Sequence, residues 1–149
     1  MNRVWAYIIS DSLSDVELGQ VLEAGKTFVE HWTAHENKLT ASFDIFEKRI
    51  ILVKVNEDIN GASGCSIDKL TRFIKATEIK FGVQLLNRLL VAYRKNDKLE
   101  IIHSSKIKEM LLKGDISAET PVYNTSVANE QGLSQWIQPL RETWLNRYL

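Results

Sequence analysis

The chain has one cysteine, Cys65, in 149 residues. A lone thiol forms no internal disulfide. That excludes a disulfide-built secreted domain and fits a reducing compartment. Charge of either sign is not in surplus: Lys and Arg number 19, Asp and Glu number 19, and the formal net charge is zero. Proteins that hold bare nucleic acid or an anionic membrane surface usually carry a basic excess, so neither partner is expected. Long apolar runs are also missing. The run Val4 to Ile9 spans only six residues, too short for a signal-peptide core or a membrane span. The expectation is a cytoplasmic protein. No repeat of fixed period and no low-complexity segment occurs.

What is present is ordinary for a globular domain: 44% hydrophobic and 26% charged residues. One folded domain over residues 1–149 is expected. Arg3 to Ile9 is apolar and β-branched, which predicts a buried strand. Ser14 with Glu17 forms a capping box. The helix it opens places Leu18, Leu22, Gly25, Val29 and Trp32 on one face. Gly19 and Gly25 both suggest close packing of that helix on a sheet. Leu39 to Phe46 alternates, with Ala41, Phe43 and Ile45 on one side. Ile50 to Val55 is denser in apolar residues and predicts a more central strand, antiparallel to its predecessor. A second helix is expected to start near Ser66 and to end at Gly82. Leu89–Tyr93 and Leu99–Ile102 predict a hairpin turning at Asn96-Asp97. Ser104 or Ser105 should cap a short helix that Gly114 closes. Residues 115–129 show the least pattern. The C-terminus from Pro139 predicts a helix with Leu140, Trp144 and Tyr148 on a sticky face. The hairpins argue for an α+β fold: an antiparallel or mixed sheet built from two hairpins and the N-terminal strand, with helices packed on it.

The chemistry-bearing stretch is N-G-A-S-G-C-S-I-D, Asn60 to Asp68, at a strand-to-helix junction. Small residues there let a ligand approach, and helix-start N–H groups attract anions. This makes Asn60, Gly61, Ser63, Gly64, Ser66 and Asp68 candidates for holding a small anionic ligand. Cys65 is a candidate nucleophile, because a helix start favours the thiolate; His31, His35 or His103 could serve as its base. A plainer reading stays open, in which Ser66 caps the helix, Asp68 in the first turn meets its dipole and the glycines make the turn. Known motifs are absent: no G-x-x-x-x-G-K-[ST], no G-x-G-x-x-G, no G-x-S-x-G and no H-E-x-x-H. ATP held through a Walker A loop is therefore not expected, nor is a metal site. A reading from another class makes the chain a non-catalytic interaction module. It would use Trp136, Trp144 and Tyr148, or a sheet edge, to meet a partner or a second copy in a homodimer.

The segments V-W-A-Y-I-I-S at Val4, A-S-G-C-S-I-D at Ala62 and P-L-x-x-x-W at Pro139 together resemble a family of bacterial proteins of about 150 residues. The resemblance covers nearly the whole chain. Members of that family often carry the label "ABC transporter ATPase", and it brings no functional residues with it. An ABC ATPase domain has a Walker A loop, an L-S-G-G-Q signature and an apolar strand ending in Asp-Glu. This chain has none of the three.

Overall fold

The computed structural model describes residues 2–149. In chain order the elements are β1 (Asn2–Ile8), α1 (Asp15–Glu30), β2 (Thr33–Ala34), β3 (Asn37–Lys38), β4 (Ala41–Phe46) and β5 (Ile50–Asn56). Then come α2 (Gly64–Phe81), β6 (Leu90–Lys95), β7 (Lys98–His103), α3 (Ile107–Lys113), β8 (Pro121–Tyr123), α4 (Glu130–Leu133) and β9 (Ile137–Pro139). The fold is α+β, and its strands pair antiparallel.

Two larger sheets are formed, ordered β1-β5-β4 and β7-β6-β8-β9. Period-two alternation sends the two sides of β1 and β5 to different cores. Tyr7, Ile9, Ile51, Val53 and Val55 pack under α1 and α2 with Leu18, Val21, Leu70 and Ile74. Val4, Ala6, Ile8, Ile50 and Leu52 face the second sheet and meet Ala92, Tyr123 and Trp136. The far side of the second sheet carries Val91, Tyr93 and Val122. It is covered by Ile107 of α3 and by Leu140 and Leu145 of the C-terminal segment. The order of layers is helices, sheet, sheet, then α3 with the C-terminal turns. Between the sheets, Phe46, Tyr123 and Trp136 meet edge to face at 5.2, 5.7 and 4.9 Å between ring centroids. Beside them Arg94 of β6 grips both carboxylate oxygens of Glu47, from the β4–β5 turn, at 2.6–3.2 Å.

Local signals act where the sequence places them. Ser14 and Glu17 make the reciprocal capping box of α1. Gly82 and Gly114 close α2 and α3 in the left-handed conformation. Asn96 and Asp97 both take positive φ, as a two-residue hairpin turn demands.

Four expectations are corrected. α2 begins at Gly64 with Ser63 as its cap, not Ser66. α3 follows a 3-10 turn, Ser104–Lys106, at whose start His103 Nδ1 accepts from the Ser105 N–H; Ser104 is buried rather than capping. Residues 115–129 contain β8, too short for any period to show. The C-terminus is not an α-helix. Pro139 ends strand β9, and two 3-10 turns follow, Leu140–Glu142 and Trp144–Tyr148. Thr143 separates them. Its backbone is extended, while its hydroxyl donates to the Leu140 carbonyl and accepts from the Leu145 N–H. Such local bonds compete with helix continuation.

The two glycines of α1 differ. A Cβ on Gly25 would collide with the Phe43 ring, whereas one on Gly19 would meet open space. Close packing therefore explains Gly25 and not Gly19. Gly25→Ala should lower stability by about 1–3 kcal/mol through overpacking, while Gly19→Ala should raise it by about 0.5–1 kcal/mol. Urea denaturation of the two variants checks the opposite signs. Burial also pushes the Tyr7 hydroxyl up to about 12, against a smaller opposing pull from Arg88. A raised folded value means stability is unaffected below pH 10, the unfolded value, and is lost as pH rises toward 12. The loss should reach about 3 kcal/mol. Tyr7→Phe should flatten that alkaline decline without removing it, since burial also raises Tyr93 and Tyr123.

Candidate functional site

The Asn60–Asp68 stretch is knit to itself and its neighbours. The Ser63 hydroxyl accepts from the Ser66 N–H at 3.1 Å, and the Ser66 hydroxyl accepts from the Ser63 N–H at 2.7 Å. Ser66 Oγ also donates to the Ser63 carbonyl, and Ser66 is buried. Its own carbonyl takes the Trp32 indole N–H at 2.8 Å. Asn60 Nδ2 donates to the Lys38 carbonyl, and the Ala62 N–H donates to the Glu57 carboxylate, which lies against Gly61. Asp68 sits beyond the first turn of α2, which contains no acidic residue. The stretch thus tethers α2 to β3 and to the end of α1. Its side-chain hydrogen-bonding groups at Asn60, Ser63 and Ser66 are engaged.

Cys65 is exposed in the first turn of α2. None of the three histidines is hydrogen-bonded to it. His31 caps α1 and bonds the Thr27 carbonyl, and His103 bonds Ser105. His35 lies in the β2–β3 turn at a φ of 50°. His31 and His35 therefore share no helix face. Among the described residues, no group of three or more His, Cys, Asp or Glu is placed to hold a metal. No helix among them is long and apolar enough to cross a membrane. Of the aromatic candidates, Trp136 is buried between the sheets, Tyr148 is half-buried and Trp144 is 44% exposed. Among the described residues, no strand lies beside the outer edge of β4.

A different place gathers polar side chains that have no protein partner among the described residues. β6 and β8 are joined by one pair, Tyr93 with Val122. Continued in register, Leu90 would exchange hydrogen bonds with Thr125, but that pair is not made. The chain leaves the sheet instead. Asn124 Oδ1 accepts from the Ser126 N–H in a side-chain turn. The strap that follows reaches the first sheet, where the Val4 N–H donates to the Ala128 carbonyl at 3.0 Å and Arg3 bridges to Asn129. Where the strands part, a cavity of about 570 Å³ opens, bordered by Arg88, Leu90, Thr125, Gln138, Glu142 and Trp144. A second, shallower groove of about 250 Å³ runs along the edge of β1 past Arg3 and shares Arg88, Thr125 and Ser126 with the first.

The chemistry of this cleft follows from its lining. Among the described residues, nothing hydrogen-bonds or ion-pairs with the Arg88 guanidinium. The Gln138 amide and the hydroxyls of Thr125 and Ser126 likewise have no protein partner. Arg3 lies over the Trp5 ring at 5.0 Å and, among the described residues, makes no ion pair. Glu142, also on the lining, pairs with Arg141 at 3.1 Å, and Arg141 is shared with Glu119 at 2.6 Å. The arrangement offers a fixed positive charge, neutral donors and an aromatic wall. The sequence holds one trace of it, the run Asn124-Thr125-Ser126 between buried Tyr123 and Val127. Nothing local marks Arg88.

No protein-family model, no curated protein and no solved structure matches this chain.

Because Cys65 is exposed, a thiol reagent should label the folded protein to one equivalent without denaturant. Labelling that waits for unfolding would contradict its placement.

Proposed function

We propose that the protein binds a small anionic ligand, and that the ligand sits in the cleft where β6 and β8 part. The observation that carries this is the unmade Leu90–Thr125 pair beside the unpartnered Arg88. Sheets ordinarily pair their inner backbone groups. Here the ladder stops, the Leu90 N–H turns to the Asn87 carbonyl, and side-chain donors border one space. About 570 Å³ lies in the range of small-molecule sites. Arginine presents a planar fork of donors that matches carboxylate and phosphate oxygens. The lone, exposed thiol supports a cytoplasmic setting for this role.

The test is calorimetric titration with inorganic phosphate. Arg88→Gln should weaken binding roughly tenfold or more, the effect of losing a charge-assisted contact. Its melting temperature should stay unchanged, because Arg88 is exposed and, among the described residues, bonded to nothing that holds the fold. Equal phosphate affinity in the two proteins would overturn the proposal.

A further inference from the structure

Trp144 is the wall of the cleft that an anion alone does not use. It is 44% exposed, yet its position is fixed from several sides. Leu145, next in the chain, is fully buried in the outer core. Thr143 caps the turn that carries both residues. Arg147 lies over the indole ring at 5.6 Å, and Tyr148 meets it edge-on at 6.5 Å. A large aromatic ring held in place and left open to a cavity is a stacking surface. Arg88 borders the same cavity, and so do the Gln138 amide and the Thr125 and Ser126 hydroxyls. The lining thus offers three kinds of contact in one space: a flat apolar ring, neutral hydrogen-bonding groups, and a cation.

We infer that the ligand is of the mononucleotide class: a flat ring joined through a hydroxyl-bearing spacer to a phosphate. The ring stacks on Trp144, the spacer hydroxyls meet Gln138, Thr125 and Ser126, and the phosphate meets Arg88. This rests on the anion-binding proposal above and adds the ring and spacer to it. The recognition is of a free small molecule. A continuous nucleic-acid strand would call for a charged track, and the chain has no basic surplus.

The experiment titrates adenosine 5′-monophosphate, ribose 5-phosphate, adenosine and inorganic phosphate into the wild type, Trp144→Leu and Arg88→Gln. Calorimetry gives the affinities, and circular dichroism confirms that each variant is folded. In the wild type, adenosine 5′-monophosphate should bind about tenfold more tightly than ribose 5-phosphate, the contribution of one stacked base. Trp144→Leu should close that gap while leaving ribose 5-phosphate affinity unchanged. Arg88→Gln should weaken every phosphate-bearing probe and spare adenosine. Equal wild-type affinities for adenosine 5′-monophosphate and ribose 5-phosphate would overturn the ring assignment, as would a Trp144→Leu protein that binds the nucleotide as well as the wild type. Either result leaves the anion site standing if Arg88→Gln still weakens phosphate. Failure of all phosphate-bearing probes to bind would remove both.

Discussion

β5 is apolar on both faces, and the architecture follows from that. Ile50, Ile51, Leu52 and Val53 are all buried in succession, so neither face of the first sheet can remain in water. Burying a single aliphatic side chain is worth about 1.5–3 kcal/mol relative to leaving it exposed. One face is met by α1 and α2. The other needs a second apolar surface, and the second sheet supplies it with Ala92, Tyr123 and Trp136. That sheet in turn has an outer face to cover, which is where α3 and the C-terminal turns are used. The four-layer order is the shortest way to leave no sheet face bare.

The elements legible in the sequence are those set by neighbours a few residues away. The Ser14–Glu17 box, the Asn96-Asp97 turn and the left-handed Gly82 and Gly114 all act through bonds or dihedrals inside a single turn. The parts that were not legible are set by distant partners. β8 and β9 are three-residue strands whose identity comes from pairing with β6 and with each other. The C-terminal segment has helical composition, but Gln138 pairs across the sheet with Val122, and Thr143 then interrupts. At α2 the choice between Ser63 and Ser66 was local but two-sided. Both hydroxyls take part in the box, and only the backbone geometry separates cap from third position.

The same distinction separates the two candidate sites. The Asn60–Asp68 stretch is conspicuous in sequence because its polar residues are contiguous. In the fold, the side chains of Asn60, Ser63 and Ser66 are taken up by fastening α2 to the rest of the molecule. The cleft is inconspicuous because its parts come from residues 88–91, 122–126 and 138–144, and its defining feature is a pair that does not form. A sequence records which residues are adjacent along the chain. It carries no mark for a ladder that stops after a single pair.

The strap from Asn124 to Asn129 also ties the beginning of the chain to its end. Val4 and Ala128 are bonded across almost the full length of the polypeptide. During synthesis the first sheet and its two helices are complete long before that partner emerges. Until then the face bearing Val4, Ala6, Ile8, Ile50 and Leu52 has no cover, and exposed apolar sheet is prone to aggregate. The nascent first half therefore stays exposed until residues beyond the strap are made, because Trp136 of its cover lies there.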